Sequence, residues 1–149
     1  MNKTIYAAFA MVATAGIALA AVSGADAIKA RRALMKADGE ATKPIFQMLR
    51  GRAPFDLATV QKTLKTYQNA ASKEPLLFPP DSKTGDTKAL PVIWEDDNVA
   101  DLQARFKKFG DDVTAALATI KDEASFKATM PGVLDNCDRC HEKYHLSQQ

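Results

Sequence analysis

Apolar residues recur at helical spacing through four stretches of this 149-residue chain, and one long break separates the stretches two and two. The break, residues 74–95, is rich in Pro, Gly, Asp and Ser and holds four of the seven prolines. Prolines packed that densely suit neither a helix interior nor a central strand. β-Branched residues alternating with period two are scarce, so the chain reads as all-α. The first stretch runs from about Asp26 to Arg50 along a stripe that includes Ile28, Arg31, Leu34, Met35, Ile45 and Met48. Gly51 is its natural stop, and Pro44 predicts a kink. The second opens on Asp56 as N-cap and carries Leu57, Val60, Leu64 and Tyr67 on one face. The third spans about Asp97 to Ile120, with Leu102, Phe106, Phe109, Val113 and Leu117 inward. The fourth spans about Ser125 to His145 through Phe126, Met130, Val133 and Leu134, with Pro131 bending it. Within each pair the connection is only a few residues long, which makes the partners antiparallel. The expected architecture is an antiparallel up-down-up-down four-helix bundle, with one long loop between helices two and three. Leu76, Leu77, Phe78, Ile93 and Trp94 are too apolar for a solvated tether, so that loop should pack on the bundle.

Residues 1–24 read as an export leader rather than as part of the bundle. Lys3 supplies a positive start, Ile5 to Val22 is uncharged and Ala-rich, and small residues follow. Cleavage is placed between residues 20 and 25, leaving 25–149 as one domain in the periplasm with no stable membrane insertion. Lys plus Arg is 20 against 18 for Asp plus Glu, and only Lys3 departs with the leader. So even a charge balance argues against nucleic acid as a partner.

Both cysteines and both histidines fall in the last 13 residues: Cys137, Cys140, His141 and His145. Cys137-Asp138-Arg139-Cys140-His141 is C-x-x-C-H, the pattern of c-type haem attachment. Two thiols three residues apart on one helix can each form a thioether to a haem vinyl group, and the next imidazole can coordinate the iron. Covalent attachment also suits export, where a dissociated cofactor would be lost. A thioredoxin-like C-x-x-C belongs after a strand at a helix N-terminus, not near the end of a helical chain. A structural zinc site built on Cys137, Cys140 and His145 finds no further Cys or His outside this cluster. A plain local disulfide leaves His141 without a role. The expected cofactor is one haem c, bound through Cys137 and Cys140 with His141 on the iron.

The mature chain resembles the cytochrome c′ family in Cys137-Asp138-Arg139-Cys140-His141-Glu142-Lys143-Tyr144, in Arg31-Arg32-Ala33-Leu34-Met35 and in Ile93-Trp94. Leu34-Met35-Lys36 and Lys43-Pro44 look most like the low-spin cytochrome c-556 branch. That resemblance implies a four-helix bundle with haem near the C-terminus and Met35 as second axial ligand. In the five-coordinate branch the matching position leaves the iron open. Arg31, Leu34 and Tyr144 are implied as haem-pocket residues, with Arg31 placed to meet a propionate. His145 departs from the family pattern, which has Arg after the Tyr.

Helix geometry bears on the second ligand. Met1 and Met11 lie in the leader, and Met130 shares a helix with His141. Met35 sits about 13 Å along helix one from Asp26, while His141 is about 6 Å from the end of helix four. Those levels match in an antiparallel bundle. Met48 lies about 20 Å further along and reads as core. The levels alone admit Met35 either as ligand or as an apolar cap over the haem. His145, one turn from His141, shares its helix face and is expected as an exposed or loosely packed side chain.

Two functions follow for the haem protein. One is an electron carrier with low-spin His/Met iron, exchanging electrons with redox partner proteins. The other is a five-coordinate cytochrome c′ that binds nitric oxide or another small gas ligand under Leu34 and Met35. A thiol oxidoreductase using Cys137 and Cys140 is the rival from another class. No second polar constellation points to catalysis. The sequence leaves open whether two bundles pair as a homodimer.

Overall fold

The computed structural model describes residues 23–146, and the expected leader lies almost wholly outside them. Four helices account for most of these residues: α1 (Gly24–Leu49), α2 (Leu57–Lys73), α3 (Asn98–Thr119) and α4 (Glu123–Tyr144). No strand occurs among the described residues, and the all-α four-helix reading holds. α1 packs on α2, α2 on α3 and α3 on α4, whereas α1 and α4 barely touch.

Local chemistry sets the helix ends. Asp56 caps α2 as expected, its carboxylate accepting from the Ala58 and Thr59 amides. α4 begins two residues ahead of the expected Ser125, because Asp122 and Ser125 form a reciprocal capping box. α1 begins at Gly24 rather than Asp26, with the Ser23 hydroxyl accepting from the Asp26 amide. Gly24 is required there: a Cβ would lie 2.3 Å from the Asp81 carbonyl oxygen. Gly51, at φ 67°, follows the end of α1 as expected. Pro44 and Pro131 lie inside α1 and α4, both of which continue through them.

Two apolar clusters form the core. The larger joins all four helices through residues such as Ile45, Leu64, Tyr67, Val113, Phe126 and Met130. Each large side chain fully withdrawn from water contributes about 1.5–3 kcal/mol. The smaller gathers Ile93, Leu102, Phe106 and Tyr144, with Phe78 and Trp94 against it. Cys137 packs on the first and Cys140 on the second, so the C-x-x-C-H segment stands at the seam between them.

Residues 74–95 pack on the bundle, folded by three short 3-10 turns at Glu74–Leu76, Pro80–Ser82 and Pro91–Trp94. Leu76 is the exception to the expected packing and is 77% exposed. Arg31 of α1, only 6% exposed, holds the loop. Its guanidinium donates to the Leu77 carbonyl at 2.6 Å, the Ser82 hydroxyl at 2.8 Å, and the Ser82 carbonyl and Thr87 hydroxyl at 3.2 Å. It also lies 4.5 Å from the centre of the Phe78 ring. At its other end the loop meets the chain terminus: the Leu90 amide donates to the Tyr144 carbonyl, and the Leu146 amide to the Lys88 carbonyl.

Arg31→Ala strands these buried acceptors and should lower stability by about 3 kcal/mol. Urea unfolding reads the loss, and hydrogen exchange should show residues 77–90 opening ahead of the helices. Unchanged protection across that loop would refute the clamp.

Candidate functional site

Where α1 and α4 fail to close on each other, two cavities of about 180 and 280 Å³ share four lining residues: Met35, Phe106, Cys140 and His141. Together they form a slot with Met35 on the α1 side and the C-x-x-C-H segment on the α4 side. Met35 and His141, a hundred residues apart in sequence, are thus brought to one space. Met48 and Met130 are buried in the main core, as expected for residues that do not serve the slot.

The α1 wall is built by a stripe. Arg31, Met35, Asp38 and Thr42 stand at i, i+4, i+7 and i+11 and fall on one helix face. Asp38 and Thr42 line the smaller cavity with Met35, and Arg31 lines the larger. Arg31 spends all four of its terminal N–H groups on the loop and lines the slot with what remains. Leu34, half-buried, lines neither cavity. Tyr144 lines the larger one, with its hydroxyl turned away to donate to Asp101 at 2.5 Å.

On the α4 wall Cys137 and Cys140 are free thiols. Burial, as the main cause, pushes the Cys137 thiol up to about 12 and the Cys140 thiol up to about 11. Thiol exchange needs a thiolate near neutral pH, so these cysteines are poorly suited to it. His141 is exposed to the slot, and its imidazole makes no hydrogen bond among the described residues. Burial chiefly, then the neighbouring His145, lowers its pKa, which favours the neutral ring that binds metal. His145 is better packed than expected. The backbone bridge between His145 and Ala89 holds it, and its ring centre lies 5.0 Å from that of His141.

These residues fit a haem. The slot offers two thiols and an unpartnered imidazole on one wall, and Phe78, Ile93, Leu102 and Phe106 as apolar lining. Lys88 and Arg32, the latter paired with Asp86, line the same cavity and would be the cations nearest to hand for the propionates.

Two acids in the slot were not anticipated. Asp38 Oδ1 and Glu74 Oε1 are buried without a hydrogen-bond partner, and both residues line the smaller cavity with Cys137. Burial raises the Asp38 carboxyl to about 7 and the Glu74 carboxyl to about 8; Arg31 pulls the latter the other way. For Asp38 the signal was present, since it continues the Arg31–Met35 stripe. For Glu74, next to a proline at a helix end, nothing local marks burial.

The family model described as cytochrome c′ matches residues 26–145. A protein from Rhodopseudomonas palustris named cytochrome c′ is 53% identical over 129 residues, covering 86% of this chain and 87% of that protein. One named cytochrome c-556, from Agrobacterium fabrum, is 33% identical over 129 residues, covering 86% of each. The structure of cytochrome c′ from R. palustris superposes with a TM-score of 0.78 at 51% identity, covering 83% of this chain and 98% of that one.

The buried Glu74 carboxyl has a pH signature in stability. Folding raises its pKa from 4.5 to about 8, so the folded chain holds a proton that the unfolded chain releases between those values. Its contribution to stability is therefore full below about pH 4.5 and is lost as pH rises towards 8. Thermal midpoints of the wild type should fall across that window, and those of Glu74→Gln should fall less. Parallel curves for the two proteins would exclude a buried, raised Glu74.

Proposed function

Because the chain belongs to the cytochrome c′ family, we propose that it is an exported, periplasmic cytochrome c′ that binds a small gas ligand such as nitric oxide at a one-sided haem. Proteins of this family carry covalently attached haem c, and Cys137 and Cys140 are the chain's only cysteines. The observation that carries the gas-binding reading is the degree of likeness: 53% identity to a protein named cytochrome c′, against 33% to one named cytochrome c-556.

The haem iron supplies the ligand-binding and one-electron chemistry, and the chain supplies position and surroundings. Cys137 and Cys140 would tether the cofactor to α4, and His141 would be its protein ligand. Phe78 and Phe106 would keep water from the slot, and Lys88 and Arg32 would be available to its carboxylates. Arg31 keeps the loop closed over this end of the bundle. With two propionates added, the mature chain carries a formal charge of about −1. Redox partner proteins are thus selected by a local surface patch rather than by overall charge.

One observation favours a second reading. Met35 lines both halves of the slot with His141, as a second axial ligand of a low-spin electron carrier would. The optical and near-infrared spectra of the purified holoprotein separate the two. A high-spin spectrum that Met35→Leu leaves unchanged, with nitric oxide binding to both proteins, is the expected result. A low-spin spectrum with a methionine–iron charge-transfer band, lost in Met35→Leu, would establish the electron carrier instead. Attachment has its own check. Cys137→Ala with Cys140→Ala should leave no haem on the polypeptide after denaturing electrophoresis, whereas the wild type keeps one.

A further inference from the structure

Glu74 is among the largest side chains wholly withdrawn from water, at 1% exposure, and it has no structural partner for Oε1. Asp38 repeats the arrangement from α1, with a buried Oδ1 that nothing satisfies. Unpaired buried carboxyl oxygens are costly, and a fold that needed only bulk here would be better served by an apolar residue. Both line the cavity that holds Cys137, Cys140 and His141, and Asp38 adds to the cost of charge on Glu74.

We propose that Asp38 and Glu74 form a proton-exchange site on the wall of the haem slot, taking up a proton when the haem is reduced and releasing it on oxidation. A one-electron donor reduces the iron(III) centre to iron(II), which lowers the positive charge beside the pair. A solvent proton then binds one carboxylate oxygen and restores the local charge. Oxidation reverses both movements, so one electron is balanced by at most one proton. Asp38 is only half-buried and provides the route to solvent, while Glu74 is the inner member.

The surrounding groups leave the pair as the titrating element. From α1, Arg31 is the cation that acts on Glu74 and is fixed by the loop. From α2, the Tyr67 phenol is buried, bonded to the Thr42 hydroxyl at 2.5 Å and pushed far above its ordinary range, so it stays neutral. From α3, Arg105 is paired with Asp101 at 2.7 Å. From α4, Asn136 is uncharged, Cys137 and Cys140 become thioethers in the holoprotein, and His141 is committed to iron. The carboxyls themselves are raised to about 7 and about 8, within reach of neutral pH.

The inference rests on haem lying in this slot and on neither reading of the sixth position, which the spectra report separately. The test is the midpoint potential of the holoprotein, followed by spectroelectrochemistry between about pH 6 and 9, the range around the two raised carboxyls. Protons bind more tightly to the reduced form, so the potential should fall as pH rises. The slope should approach a tenfold change in the redox equilibrium per pH unit. Glu74→Gln and Asp38→Asn should each flatten it, which propionate titration alone would not predict. A pH-independent wild-type potential, or the wild-type slope in both variants, overturns the proposal. If the variants do not take up haem, the wild type decides by reduced-minus-oxidised infrared spectroscopy. A protonated-carboxyl band that appears on reduction and shifts in D2O supports the site, and its absence overturns it.

Discussion

The two helices that carry the slot barely touch, and the loop of residues 77–90 spans the gap between them. Arg31 reaches it from α1, and the terminus of α4 pairs with it at Lys88 and Leu90. Had α1 and α4 closed directly, Met35, Asp38 and Thr42 would have been packed against the α4 face, leaving no slot. The strap and the cation depend on each other. A guanidinium out of water is costly unless its N–H groups are paired, and the loop's carbonyls and hydroxyls pair them. Those loop groups in turn would lose their donor if the arginine were absent. One buried charge therefore fixes the loop across that end of the bundle.

Much of the scaffold was legible because its determinants are local. The stripes Leu102–Phe106–Phe109–Val113 and Val60–Leu64–Tyr67 announce their helices, and Asp56 announces a start. The α4 start was misplaced because its capping box has Asp first and Ser third, the reverse of the usual order of hydroxyl and acid. Arg31 was legible as a member of the α1 stripe, but its partners were not. They lie 46 to 56 residues away, in a loop whose path no local pattern encodes. Glu74 was illegible for the same reason, since Glu-Pro at a helix end ordinarily faces water.

The site divides along the same line. Cys137, Cys140 and His141 lie within little more than one turn of one helix, so their chemistry could be read from spacing alone. The opposite wall depends on how α1 registers against α4. There the structure adds Asp38, Thr42 and Gly39 to the Met35 that sequence had already marked. His145 shows how a small backbone event changes a side chain's standing. Pairing with Ala89 turns the chain extended just after Tyr144 and lays its ring against that of His141. Helical periodicity places the two rings on one face, but it does not predict the pairing with Ala89.

That division has a functional consequence. In the proposed haem protein, covalent attachment and the axial imidazole would both come from α4, so the α1 wall would not need to retain the cofactor. It is free to set what the iron meets: a thioether at Met35, open space beside Gly39, or an acid at Asp38. A bundle built this way can serve electron transfer or gas binding through changes confined to one face of one helix, with its core untouched. The same freedom explains how two unpaired carboxyls persist in the interior. Their cost falls on the stability of a fold whose main core is built around Tyr67, Phe126 and Met130, and they line the cavity where the proposed cofactor's charge would change.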